Sequence, residues 1–456
     1  MKTKEFLDNV CREIKYKPAN KLISEELHGH IQDMKNEYLC KGYSEEVAEE
    51  KAIEQMGDAR QIGKRLNKIH RPKLDWKLLI LSIILICFSI FNNKIDADLE
   101  SSILTIFLLI LSTLMIYFYD YRKLSRHSLK LYIIATIINI MACTLGFRSY
   151  GSIHGGLPFT SVAPTVISIP LYVIAFAGFI DNVIKSSEQK LKLNLIKIIV
   201  LSCISIISLL MINTESGLIV GMVYLVVSTV ELIKRKKIKH IILLWGVSII
   251  VLLLLASVEE KWFYANLEET ERIYSYSEEA VINDLRSEIL NSAKLFGKAD
   301  LGVDVIRHDG VDISTLSYFN KDSNFVFIDV LANYGGIVSI SMVLVIILLN
   351  IKLIINSIKV EDSYGKLINI SISILFMLET VFNLAMNLGF GKITDFTIPL
   401  VAKGKTSLII NMMCLALVLS VYRRKDINFD EPTQRIKVSK ILLKLSKVAK
   451  KIEESF

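Results

Sequence analysis

The sequence predicts an all-α polytopic membrane protein with ten transmembrane helices, one large extracellular loop between helices 7 and 8, and a small cytosolic helical N-terminal domain. Three observations carry this. Of the 456 residues, 52% are hydrophobic and the mean hydropathy is +0.45, more than a soluble core requires. That excess is gathered into ten runs near the ~20 residues a helix needs to cross a bilayer. The remaining polar sequence is concentrated in residues 1–72, 258–324 and 424–456.

Residues 1–72 read as a cytosolic helical domain. In SEEVAEEKAIEQMGDARQIGKRL, Val47, Ala48, Ala52, Ile53 and Met56 recur at helical spacing behind Ser44, with Glu45 and Glu46 in the first turn. Gly57 closes that helix and Asp58 caps a second one running to Ile69, ahead of Pro72. The segment is too charged for a signal peptide, so no cleavage is expected.

Residues 73–423 hold the apolar runs: 76–91, 103–119, 131–145, 162–180, 195–212, 217–233, 241–257, 325–349, 367–388 and 398–422. The short loops at 120–130, 181–194, 234–240 and 350–366 carry fifteen Lys or Arg. Their alternates at 92–102, 146–161, 213–216 and 389–397 carry only Lys94, Arg148 and Lys392. By the positive-inside rule both termini are cytosolic and the long loop lies outside. The net charge of +8 is therefore a topology signal, and no nucleic acid partner is expected. The six cysteines are scattered singly, which supports neither a disulfide framework nor a metal site.

Residues 424–456 are basic and amphipathic. Val438, Ile441, Leu442, Leu445, Val448 and Ile452 share helical spacing, with lysines covering the other faces. Two readings stay open: a helix lying on the anionic inner leaflet, or a solvated helix docked on the N-terminal domain.

Two places in the membrane domain invite chemistry. Glu379, Asn383 and Asn387 are spaced four apart and share a helix face. An ionised Glu in mid-membrane costs roughly 2.5–3.5 kcal/mol on insertion scales, so this face must meet protein or a wet cavity. The two asparagines serve equally well as packing glue between helices. The second place is the long loop 258–324, which gathers Trp262, Arg272, Glu278, Glu279, Asp284, Arg286, Lys298, Asp304, Arg307 and Asp309.

Several phrases resemble the FtsW/RodA/SpoVE (SEDS) family of bacterial cell-wall proteins. LFGKADLG followed by SNFVFIDVLANYGG, within 295–336, resembles the family's paired motifs after the outer loop. ETVFNLAMNLGFGKITDFTIPLVAKGKTSLIINMM aligns without a gap to the family's ninth-helix motif, keeping Asn383, Met386, Gly389, Thr394, Pro399, Gly404, Ser407, Leu408 and Asn411. NTESGL at 213–218 and GFRSYGSIHGG at 146–156 are weaker echoes. AIEQMGDARQIGKRL resembles a short helical prefix domain found ahead of several bacterial permeases, which implies a docking or regulatory module.

The resemblance implies a peptidoglycan glycosyltransferase in the bacterial cytoplasmic membrane that polymerises lipid II at the outer face in division, elongation or sporulation. It implies a class B penicillin-binding protein as partner and a lipid-linked cell-wall precursor as substrate. RIYSYSEE at 272–279 is the best counterpart of the family's catalytic phrase, which would make Glu278 the catalytic carboxylate. Arg148, Arg272, Lys403, Lys405, Asn383 and Glu379 are the candidate substrate-binding residues. No metal ligands are identified and no cofactor is named, although a divalent cation could accompany the pyrophosphate leaving group. Departures from the family also matter: its acids fall on Val162, Asn324 and Ala332-Asn333, while lysines arrive at 403 and 405. A noncatalytic paralogue that scaffolds or regulates a cell-wall synthase is therefore the alternative, with a lipid-linked sugar flippase third. GKTS at 404–407 lacks the strand and glycine-rich turn of a P-loop and should begin a helix.

Overall fold

The computed structural model describes residues 2–70, 73–92, 99–145, 164–185, 188–210, 212, 214–234, 282–299, 305–308, 311–314, 323–390, 394, 396–401 and 405–425. The chain divides into two compact units. One comprises Met1–Leu74, Lys359–Asp362 and Tyr422–Phe456, and the other Asp75–Ile358 and Ser363–Val421.

The N-terminal unit contains α1 (Lys2–Arg12), α2 (Asn20–Cys40), α3 (Glu45–Met56) and α4 (Ala59–His70). Its core is built from Phe6, Leu7, Val10, Ile23, Leu27 and Ile31 on the first two helices and Ile14 between them, with Ala52, Ile62 and Leu66 from the last two. Burial of this apolar stripe orders four short helices that would be marginal alone. The α3 and α4 boundaries follow the sequence signals: Ser44 and Gly57 flank α3, and the Asp58 carboxylate accepts the Arg60 N–H at 3.0 Å. α1 crosses α4 at Gly63, where a Cβ would stand 2.7 Å from the Val10 carbonyl oxygen. Thr3 ties α1 to α3, its hydroxyl and backbone N–H both donating to Glu49.

The larger unit is a helical bundle. Its elements are α5 (Trp76–Asn92), α6 (Leu99–Phe118), α7 (Arg122–Arg126), α8 (Ser128–Leu145), α9 (Pro164–Ile184), α10 (Glu188–Leu210), α11 (Thr214–Lys234), α12 (282–292), α13 (Val326–Tyr334), α14 (Gly336–Ile358), α15 (Ser363–Asn387) and α16 (Lys405–Arg423). Among the described residues four helices, α9, α14, α15 and α16, are at least 18 residues long and apolar enough to span a membrane, and parts of α5, α6, α8 and α10 form shorter apolar helices. The seventh predicted run, 241–257, and the basic tail lie outside the described residues.

α15 sits centrally, packing on α9, α11 and α14. Windows of α9, α15 and α16 are 61–67% buried whereas that of α14 is 33% buried. The exposed faces of α6, α8, α10 and α14 are rows of Ile, Leu, Phe and Met, which suits contact with lipid rather than water. Inside, several polar groups pair with one another. Tyr172 of α9 reaches Thr136 of α8 and Ser208 of α10, both at 3.0 Å, and Ser205 meets Tyr224 of α11 at 3.2 Å. Asp75 caps α5 through the Lys77 and Leu78 N–H groups and forms an ion pair with Lys352 of α14 at 2.9 Å.

Two predicted runs are not single helices. The eighth, 325–349, breaks at Gly335, which separates α13 from α14. The tenth, 398–422, is not helical over 398–401 and is helical from Lys405, within the GKTS phrase. The long loop 258–324 also contains a small antiparallel hairpin, β1 (Val305–His308) on β2 (Val311–Ser314), with Val305 opposite Ser314 and His308 opposite Val311. This two-stranded pairing is a local exception to the all-α architecture.

Candidate functional site

The described part of the long loop 258–324 is fastened to the bundle by backbone and arginine contacts. After α12 the LFGK segment folds over the break between α13 and α14. Gly336 and Ile337 donate to the carbonyls of Lys294 and Leu295, while Gly297 and Ala299 donate to those of Tyr334 and Ala332. These bonds satisfy the helix ends that the break exposes. Gly335 has φ +90°, and a Cβ there would stand 2.9 Å from the Leu295 and Lys294 carbonyl oxygens, so this crossing requires glycine. Arg286 of α12 is buried and donates to the Met386 carbonyl at 2.7 Å and to Asn283 at 2.6 Å. A guanidinium thus caps the C-terminal end of α15, where terminal carbonyls favour a cation.

Asn383 and Asn387 face the other side of that junction. Both amides donate to the Asn324 carbonyl, at 2.8 and 3.1 Å, Asn383 also donates to the Phe396 carbonyl, and Asn387 accepts the Ile328 N–H. Each asparagine therefore satisfies irregular backbone inside the bundle, the setting in which such backbone is tolerated at membrane depth. Asn324 contributes its backbone carbonyl to this junction. Asn333 donates to the carboxylate and carbonyl of Asp329, at 2.8 and 2.9 Å.

One turn before Asn383, Glu379 points into a cleft with Thr165, Ile169, Thr397, Ser407 and Asn411. The cleft lies between α9, α15, α16 and the irregular segment 396–401, in which Leu400 adopts φ 66°, an uncommon conformation for a branched residue. Thr397 and Ser407 hydrogen bond at 2.8 Å. Lys405 is exposed at the start of α16. Glu278, Arg272, Arg148 and Lys403 lie outside the described residues, so of the sequence candidates Asn383, Glu379 and Lys405 are described. Arg286 had no distinguishing mark within a loop rich in charge, nor had Thr165 within an apolar run or Thr397 at the end of the short loop 389–397. Ser407 and Asn411 stood in the matching motif.

The sequence matches the family described as cell cycle protein, FtsW/RodA/SpoVE, over residues 76–427. The chain belongs to this SEDS family. Membership gives it a role in bacterial cell-wall synthesis at the membrane and makes it a multi-pass membrane protein. Solved structures agree on the fold. A crystal structure of the Thermus thermophilus rod shape determining protein RodA is 17% identical with a TM-score of 0.53, covering 77% of this chain and 97% of that one. A RodA point mutant gives 17% and 0.53, covering 77% and 98%. A chain from a structure described as the structural coordination of polymerization and crosslinking by a peptidoglycan synthase complex is 18% identical with a TM-score of 0.57, covering 78% and 99%. No curated protein matches the sequence. The SEDS motif residues acquire structural reasons here: Asn383 bridges two irregular backbones, the Thr394 N–H lies 3.1 Å from the Met386 sulfur, and Gly389 lies beside the Arg286 guanidinium.

Proposed function

We propose that this SEDS protein is a peptidoglycan glycosyltransferase that polymerises lipid II at the outer face of the cytoplasmic membrane, with Glu278 as general base. The observation that carries the proposal is the family match across the whole membrane domain, with the motif segments that flank the outer loop interlocked at the end of α15. In the reaction Glu278 takes the proton of the acceptor sugar hydroxyl. The freed oxygen pair attacks the donor anomeric carbon, and the bond to the lipid pyrophosphate breaks with its electrons leaving on that group. Arg148, Arg272, Lys403 and Lys405 are the cations proposed to hold the departing charge. Among the described residues no three His, Cys, Asp or Glu side chains cluster as metal ligands, and the proposal routes no step through a metal.

Both termini are cytosolic in this reading, and a class B penicillin-binding protein is the partner. The similarity to a chain of a peptidoglycan synthase complex supports that assignment. The prefix domain is assigned to docking or regulation.

The test is polymerisation of lipid-linked disaccharide by the purified protein with its transpeptidase. Glu278→Gln should lose roughly 10²-fold or more, the usual scale for a general base, with unchanged expression and membrane insertion. Full activity in that variant would remove Glu278 from the role. The substitutions Asn324 and Ala332-Asn333 at family acids favour a second reading, a noncatalytic scaffold for a synthase. Wild-type protein inactive with every such partner would select it.

A further inference from the structure

The cleft around Glu379 has a composition that the transferase reading does not use. Its polar lining is oxygen-rich: one carboxylate, the hydroxyls of Thr165, Thr397 and Ser407, and the amide of Asn411. Among the described lining residues there is no Lys, Arg or His. Glu379 Oε2 is buried and has no hydrogen-bond partner among the described residues, whereas the neighbouring Thr397 and Ser407 hydroxyls pair with each other. A buried carboxylate that nothing neutralises carries a large penalty, and none of the described lining residues would attract a pyrophosphate. The irregular backbone at 396–401 forms one wall, and buried non-helical backbone in a membrane bundle occurs where it lines a cavity.

Size narrows the occupant. The cleft encloses about 350 Å³ when its solvent-open part is counted, but the gap between the side chains admits only about one water-sized guest. A sugar ring does not fit. Hard oxygen donors select alkali and alkaline-earth ions. Magnesium holds its waters tightly, and a calcium ion with this single carboxylate would leave an uncompensated positive charge in the bundle. One carboxylate with neutral oxygens and a water-sized gap matches a monovalent ion. The ingredients, non-helical backbone beside polar side chains within a helical bundle, are those from which sodium sites in membrane proteins are built.

We propose that the cleft between α9, α15 and α16 binds a single sodium ion, with Glu379 supplying the neutralising charge and Thr165, Thr397, Ser407 and Asn411 the neutral oxygens. The bound ion stabilises the packing of these three central helices.

The test is thermal unfolding of the full chain in detergent, titrated with sodium chloride against potassium and choline chlorides at constant total salt. A ligand that binds only the folded state raises its melting temperature with concentration. Sodium well above its dissociation constant should add roughly 2–5 °C over choline. Glu379→Gln should abolish the difference. Ser407→Ala and Asn411→Ala, which keep the carboxylate, should move the sodium midpoint several-fold upward, and they serve where Glu379→Gln does not fold. Equal melting temperatures in all three salts would overturn the site, as would sodium dependence that survives Glu379→Gln. The readout is stability, so the result is independent of whether the protein polymerises lipid II.

Discussion

At the scale of single residues, the buried charges decide most. Asp75 and Lys352 are 4% and 17% exposed along their side chains, and their ion pair joins the start of α5 to α14. Burial opposes ionisation of Asp75, but hydrogen bonds from Lys352, Asn356 and the Leu78 N–H outweigh it and hold the carboxyl below its ordinary value. Removing one member strands the other, at a typical cost of about 3–5 kcal/mol, whereas replacing both with apolar residues is often close to neutral. Asp75→Leu should therefore destabilise the detergent-solubilised protein much more than the double variant Asp75→Leu/Lys352→Met. Detergent melts of the three proteins measure this, and equal losses would remove the pair from any structural role. Glu379 was legible in the sequence because an acid within an apolar run needs a reason. Arg286 was not, because its significance comes from the Met386 carbonyl a hundred positions away. Charge in a polar loop is unremarkable until folding buries it.

At the scale of elements, the hydrophobic runs gave helix existence and approximate limits, and the positions of Ser44, Gly57 and Asp58 gave the ends of α3 and α4, although the Ser44 side chain makes no capping bond. The interruptions were hidden. An apolar run reads as one continuous helix whether or not another segment bonds to it, and Gly335 breaks its run because the LFGK backbone lies across it. Likewise 396–401 is held out of helical form by packing and by Asn383. The N-terminal unit has its own core, so residues 1–72 should express as a folded helical fragment. Its stability should respond to acid through Glu49, whose pKa is lowered first by the Thr3 hydroxyl and then by the Thr3 N–H. A depressed carboxyl contributes stability that is present above its unfolded value, ordinarily about 4.3, and is lost as pH falls through the folded value. Urea melts of the fragment at pH 7 and on the acid side of that range should show this loss, and Thr3→Val should reduce it. Identical acid sensitivity in both proteins would exclude the Thr3–Glu49 contact as its source.

At the scale of the whole molecule, the asymmetry of fifteen basic residues against three should be visible in intact cells. A cysteine introduced at Ser314 should react with a membrane-impermeant maleimide, and one at Lys236 should not until the membrane is opened. Labelling at Lys236 in sealed cells would invert the topology. The interlock at the end of α15 has a further consequence for how such a protein can diversify. Residues 294–299 are fixed by backbone bonds and Asn324 is fixed by two amides, so both ends of the intervening outer segment are held by the bundle itself. With its ends already positioned, doubling the length of that segment costs only about 0.6 kcal/mol of closure entropy. Insertions and deletions can accumulate there almost freely, which makes it the natural place for lineage-specific recognition to evolve while the helices beneath stay unchanged.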